Sequence, residues 1–281
     1  MGQAAVDNLI RLLDLEDIEV NIFRGRSPDE RRQRVFGGQV AGQALVAATR
    51  TVDAAYKVHS LHAYFLRPGD PSVPILYDVD RIRDGRSFVT RRVVAIQHGR
   101  PIFNLSSSFH LDEESFDHQD EMPTGLPAPE TLPTFREQLP PELLAEVTHD
   151  LPFDSRNCDW TLPDRKRGLP PYQRVWIKAD GRLPDDPVLH ACVVTYLSDM
   201  TLLDTTLLPH GTAFTAGSVA MASLDHAMWF HRPFRADEWL LYSQRTPSAS
   251  GARGFATGSI FTQSGELAVS VVQEGLIRRM T

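Results

Sequence analysis

The second half of this chain starts the first half again, and that repeat constrains the fold more than any other feature. Shifted by 165 positions, Phe65-Leu66-Arg67-Pro68 falls on Phe230-His231-Arg232-Pro233, and Ile75-Leu76-Tyr77 falls on Leu240-Leu241-Tyr242. Arg86 and Phe88 match Arg253 and Phe255 after a two-residue slip, and Gly99 matches Gly265 at an offset of 166. Self-similarity at a fixed offset marks a duplicated folding unit. The 281 residues are therefore two copies of one fold.

The content of one copy follows from periodicity. Val6 to Leu15 has the apolar spacing of a short amphipathic helix, and Ile18 to Phe23 has the look of a strand that ends near Gly25. Phe36-Gly37-Gly38-Gln39 leads into Val40 to Ala48, which is rich in small residues and carries no charge. Such a helix is buried on most sides. Four β-favouring runs follow, Val58 to Leu66, Val73 to Ile82, Ser87 to Gln97 and Ile102 to Phe109, with Asp84-Gly85 and His98-Gly99 as hairpin turns. The second copy repeats the order: a strand at Arg174 to Lys178 ending near Gly181, an apolar helical segment at His190 to Leu203, then β runs at Ser218 to Phe230, Glu238 to Thr246, Ala252 to Gln263 and Leu267 to Ile277. A strand, a buried helix and four more strands predict an antiparallel sheet wrapped around a central helix. Two copies give an α+β tandem double hot-dog; two independent α+β domains are the alternative.

Between the copies the texture changes. Residues 111–171 hold ten of the chain's 20 prolines, and Leu111 to Glu121 is acidic without Lys or Arg. Proline removes backbone donors and disfavours helix before it, which predicts an extended connector with at most a short helix near Pro141 to Val147. The expected organisation is an N-terminal repeat at 1–110, a proline-rich acidic connector at 111–171, and a C-terminal repeat at 172–281 that carries the chemistry. A formal net charge of −7 argues against nucleic acid and anionic membrane as partners. Cys158 and Cys192 have no metal-ligand spacing, so no disulfide, metal or cofactor is expected. No signal-peptide pattern and no run near the roughly 18 uncharged apolar residues of a spanning helix is found; the cytoplasm is the expected location.

Nucleophile-elbow, P-loop, dinucleotide-binding and zinc-protease patterns are all missing. Asp199 stands out instead, inside Val193-Val194-Thr195-Tyr196-Leu197-Ser198-Asp199-Met200-Thr201-Leu202-Leu203. An ionised carboxylate among apolar residues is costly without partners, and the matching helix of the first copy has no acid. Taken alone, Asp199 reads equally as a helix-capping residue or a functional one. His226 and His231 flank Trp229 without a third metal ligand and are read as structural. Asp204 turns to another helix face.

Arg34 to Leu45, His62 to Asp70, Asp225-His226-Ala227-Met228-Trp229-Phe230-His231-Arg232-Pro233-Phe234 and Val272-Gln273-Glu274-Gly275-Leu276-Ile277-Arg278 resemble the acyl-CoA thioesterase II, or TesB-like, family along nearly the whole chain. The resemblance implies hydrolysis of medium- to long-chain fatty acyl-CoA, with Asp199 as general base and Ser223 and Gln273 orienting a water. Ser223 stands where the family often has threonine. The resemblance also implies a homodimer of double hot-dogs or a higher homo-oligomer, with acyl-CoA as substrate. Ser106-Ser107-Ser108 stands opposite Val272-Gln273-Glu274 in the repeat, so the first copy's equivalent site is expected to be inactive. Arg31-Arg32, Arg91-Arg92 and Arg165-Lys166-Arg167 are candidate anchors for the substrate's phosphates. The competing functions are an enoyl-CoA hydratase, which needs an Asp–His pair, and a catalytically silent acyl-CoA or lipid-binding protein.

Overall fold

Among the described residues, thirteen strands form one sheet in which every pairing is antiparallel. The structure is a computed structural model that describes residues 2–28, 33–139, 151–212 and 218–280, with the backbone only at Lys166. The helix expected near Pro141 to Val147 lies outside these residues. The first half contains α1 (Gly2–Leu13), β1 (Glu16–Glu19), β2 (Ile22–Gly25), α2 (Gly37–Thr49), β3 (Lys57–Phe65), β4 (Ile75–Asp84), β5 (Phe88–Gln97) and β6 (Arg100–His110). The rest contains β7 (Phe153–Asn157), β8 (Tyr172–Ala179), α3 (Pro187–Ser198), β9 (Val219–Ser223), β10 (Asp225–Phe230), β11 (Leu240–Ser250), β12 (Arg253–Thr262) and β13 (Leu267–Arg279).

Across the sheet the order is β1-β2-β4-β5-β6-β3-β10-β13-β12-β11-β8-β7, with β9 pairing onto β13. Counted inward from either edge, this is the same arrangement twice, with β1 matching β7 and β3 matching β10. The halves join where β3 and β10 pair from Tyr64↔Asp225 to Ser60↔Trp229. The double hot-dog is thus one continuous sheet around two central helices.

Three details depart from the sequence expectations. Ile18 to Phe23 is not one strand, because Asn21 adopts φ +62° and turns β1 back on β2; asparagine tolerates this left-handed conformation. The proline-rich stretch supplies β7, which takes the edge position equivalent to β1. The ladders also correct the repeat alignment. Arg91 faces Ser107 in one half and Ala256 faces Gln273 in the other, so β5 and β12 match without a slip, and Phe88 is not the counterpart of Phe255.

The two central helices run antiparallel and meet at glycines four residues apart. A methyl on Gly38 would collide with the Tyr196 carbonyl, and one on Gly42 would lie 3.3 Å from the Cys192 carbonyl. Ten of the thirteen α2 residues are buried, which accounts for its lack of charge. One apolar cluster draws Val40 and Leu45 from α2, Val193 and Val194 from α3, and Leu61, Val93, Tyr242 and Val271 from both halves of the sheet. Two independent domains would not share a core, so that alternative is set aside. Residues 187–210 are long and apolar enough by composition to cross a membrane, but they are 72% buried inside the protein. Truncating Leu45, fully buried in this cluster, to alanine would cost about 2–5 kcal/mol.

Candidate active site

α3 begins with Asp186 as N-cap, its side chain accepting the Val188 N–H at 2.9 Å, and with Pro187 in the first turn. It ends at Asp199, which is the C-cap residue rather than a residue of the helix body. A carboxylate at the C-terminus of its own helix faces the negative end of that dipole. Asp199 escapes this by reaching the other helix, where the Gly38 backbone N–H at the start of α2 donates to it. That end of α2 has no side-chain cap, and the Gly38 N–H, one of its first-turn donors left without an intrahelical partner, is taken by the carboxylate. A methyl on Gly37 would sit 2.6 Å from Asp199 Oδ2, which is why glycine is needed there.

The other two residues come from the sheet. On β13, Val269, Val271, Gln273 and Gly275 form the buried row, and strand alternation turns them all to the helix side. Ser223, the last residue of β9, pairs with Gly275, two positions from Gln273 and on the same face. Ser223 Oγ donates to Asp199 Oδ1 at 3.0 Å. Gln273 Nε2 donates to the same oxygen at 2.5 Å and to Ser223 Oγ at 3.0 Å. The three sequence-predicted site residues therefore form one hydrogen-bonded cluster.

Burial pushes the Asp199 carboxyl up to about 6, against the opposing hydrogen bonds from Gln273, Ser223 and Gly38. The group is thus ionised at neutral pH yet basic enough to take a proton. As a whole residue Asp199 is half-buried. Gln273 is fully buried, and while its Nε2 is held in the cluster its Oε1 has no hydrogen-bond partner. Val35, Phe36, Pro71 and Tyr196, together with the polar Ser27, Arg34 and Gln39, line a small cleft of about 10 Å³, with the Phe36 and Tyr196 rings edge to face at 5.0 Å.

The remaining candidates take structural roles. His226 is buried, contacts Ser198 Oγ through Nε2 at 2.7 Å, and burial lowers its pKa to about 4. His231 contacts Ser270 Oγ at 2.9 Å. Asp204 is ion-paired with Arg165, so Arg165 is not an available anchor. Arg92 pairs with Asp80 at 3.0 Å, and Arg31-Arg32 lies outside the described residues. No cluster of His, Cys, Asp or Glu fit for a metal occurs among the described residues. Both cysteines are free thiols, and burial pushes Cys158 up to about 11, far from nucleophilic.

Arg91 corrects its anchor assignment most fully, because it fills the first half's equivalent of the site. It is fully buried and donates to Thr51 Oγ1 at 2.8 Å, the Thr51 carbonyl at 3.0 Å and the Arg83 and Thr90 carbonyls. It also pairs with Asp84. The N-terminus of α2 was not among the sequence-predicted site residues. Gly37-Gly38 before an uncharged helix is the signal that could have found it, since backbone donors have no letter of their own.

A family model described as acyl-CoA thioesterase matches residues 161–276, and one described as the acyl-CoA thioesterase N-terminal domain matches residues 27–110. Acyl-coenzyme A thioesterase 8 of Homo sapiens is 41% identical over 282 residues, covering 95% of this chain and 88% of the human protein. Acyl-CoA thioesterase 2 of Haemophilus influenzae is also 41% identical, covering 97% of this chain and 98% of its own. The crystal structure of an acyl-CoA thioesterase II, TesB2, from Mycobacterium marinum superposes with a TM-score of 0.80 at 48% identity, covering 96% of this chain and 98% of that one.

Proposed function

The chain belongs to the acyl-CoA thioesterase family of thioester hydrolases, and on that premise we propose that it cleaves medium- to long-chain fatty acyl-CoA through Asp199, Ser223 and Gln273. The observation that carries this reading is the carboxylate held between a serine, a glutamine and an uncapped helix N-terminus. Asp199 takes a proton from a water whose oxygen attacks the thioester carbonyl carbon. The resulting oxyanion is stabilised by first-turn N–H groups of α2 and by the positive end of that helix. Collapse expels the coenzyme A thiolate, which recovers the proton from Asp199, so water and thioester become acid and thiol.

Ser223 is an orienting group in this scheme. Its hydroxyl donates to Asp199 and accepts from Gln273, which leaves it poorly placed as a nucleophile, and a thiolate leaves readily enough that no acyl-enzyme is needed. Gln273 holds Asp199 with Nε2 and offers Oε1 to the water's second hydrogen. A hydratase would need an imidazole beside the carboxylate, whereas the hydrogen-bonding side chains of Asp199 are a hydroxyl and an amide.

The cleft at Phe36 and Tyr196 is about 10 Å³, room for a water and not for an acyl chain, so the chain-length part of the proposal rests on the family resemblance. The homodimer and the cytoplasmic location are carried as part of this proposal; light scattering on the purified protein tests the first. Thiol release from acyl-CoA esters of graded chain length is the direct test. Release that peaks at medium to long chains supports the proposal. No release at any length would leave an acyl-CoA-binding protein.

A further inference from the structure

The face of the sheet opposite Gln273 carries a groove of about 310 Å³, in the size range of small-ligand sites. Tyr172, Arg174, Ser243, Arg245, Thr257 and Ser259 make up its floor and sides, and Pro123 from the connector walls one edge. The strand registers put these residues in two adjacent rows, Arg174–Ser243–Ser259 and Tyr172–Arg245–Thr257. Because side chains alternate between faces, and Ala256 faces Gln273 from the buried side, this groove is separated from the hydrolytic cluster by the sheet itself.

The charge of the groove is unusual for a chain with a net charge of −7. No carboxylate lines it. Arg245 donates to Thr257 Oγ1 at 3.3 Å, and among the described residues no acid lies within ion-pair distance of it. Asp159 holds Arg174 from outside the lining, accepting from Nε at 3.0 Å and from the Arg174 backbone N–H at 2.6 Å and ion-pairing with Nη2, so the charge of Arg174 is already paired and Arg245 is the cation left to the groove. The first half carries no such groove chemistry. Tyr77 matches Tyr242 in the repeat, so the counterparts of Ser243 and Arg245 are Asp78 and Asp80, and that of Thr257 is Arg92. There the charges cancel within the sheet, as Arg92 pairs with Asp80 at 3.0 Å.

A guanidinium without an acid partner beside a hydroxyl floor is suited to phosphate oxygens. Tyr172 is 45% exposed, with its ring 5.5 Å from the Arg174 guanidinium, and it offers a face on which a planar base can stack. We infer that this groove is a second binding site, distinct from the thioesterase centre, for a nucleotide-type phosphate ester gripped by Arg245 and stacked on Tyr172.

Calorimetric titration with ADP and with inorganic pyrophosphate tests the site in the full-length protein, alongside thiol-release kinetics. Saturable ADP binding is expected, weakened at least about tenfold by Arg245→Glu and by raising salt from about 0.05 to 0.3 M. Tyr172→Ala is expected to weaken ADP but leave pyrophosphate unchanged, and the KM for acyl-CoA in Arg245→Glu should stay at the wild-type value. No saturable binding, or binding that Arg245→Glu leaves intact, overturns the site. A KM that rises in parallel makes the groove part of the substrate site and overturns its independence. Equal loss of both probes in Tyr172→Ala overturns the stacking.

Discussion

The two halves place opposite charges at the same position. In the second half, Ala256 beside Gln273 leaves room for Asp199; in the first, Arg91 stands beside Ser107 and fills the space with a guanidinium. The helix ends differ in the same sense. α2 opens on Gly37-Gly38 with no side-chain cap and donates its Gly38 N–H to Asp199, while α3 opens on Asp186-Pro187 and its cap is consumed internally. One exchange thus leaves a carboxylate facing an uncapped helix end, and the other a cation with its hydrogen bonds already made. The comparison teaches that the proposed active site is not a property of one repeat, because the second half supplies the acid and the first supplies the helix end that faces it.

The largest expected effect is on the acid. Asp199→Asn should lower kcat by about 10³-fold in thiol release while circular dichroism stays unchanged. The wild-type rate should fall about tenfold per pH unit below the Asp199 value of about 6, and retained activity at pH 4 would break the general-base assignment. The linkage has the opposite sign for stability. A carboxyl raised in the folded state from 3.8 to about 6 stabilises the fold fully below 3.8 and loses that contribution as pH rises through 6, on the order of 3 kcal/mol. Urea unfolding of wild type should weaken across that window relative to Asp199→Asn.

Smaller effects sharpen the comparison between the halves. Gln273→Ser, which installs the first half's residue, should cost about 10²-fold in kcat by loosening the acid and the water. Gly37→Ala forces a methyl against Asp199 and should cost about tenfold, whereas Pro187→Ala at the other helix start should leave steady-state rates unchanged. The smallest expected effect on catalysis is that of Arg91→Met. Thiol release per folded molecule should match wild type, with stability reduced by about 2–4 kcal/mol in chemical unfolding. A parallel fall in kcat would show that the filled position also tunes the working one.

Much of this was legible in the letters because burial writes periodicity into sequence. The uncharged run from Val40 to Ala48 announced a central helix, and a glutamine in the row Val269, Val271, Gln273 is a polar residue at an inward position. Asp199 stood out for the same reason. Ser223 carries no such mark, since a serine at a strand end is ordinary, and both it and Gln273 entered as site residues only through family resemblance. β7 stayed hidden because five residues between prolines find their partner on β8, which no local pattern records. The filling role of Arg91 was equally invisible: an arginine in a strand reads as exposed until Thr51 and Asp84 are seen around it.

The connector between the halves has a consequence for how such a site can diverge. In an assembly of two identical chains, any substitution appears at both symmetry-related positions, so a change that closes one site closes the other. Here β3 and β10 meet as those chains would, but they belong to one polypeptide encoded once along its length. A mutation therefore strikes a single copy. Arg91 could close one position without touching Asp199, and the groove at Arg245 could acquire its charge while Asp80 kept the opposite one.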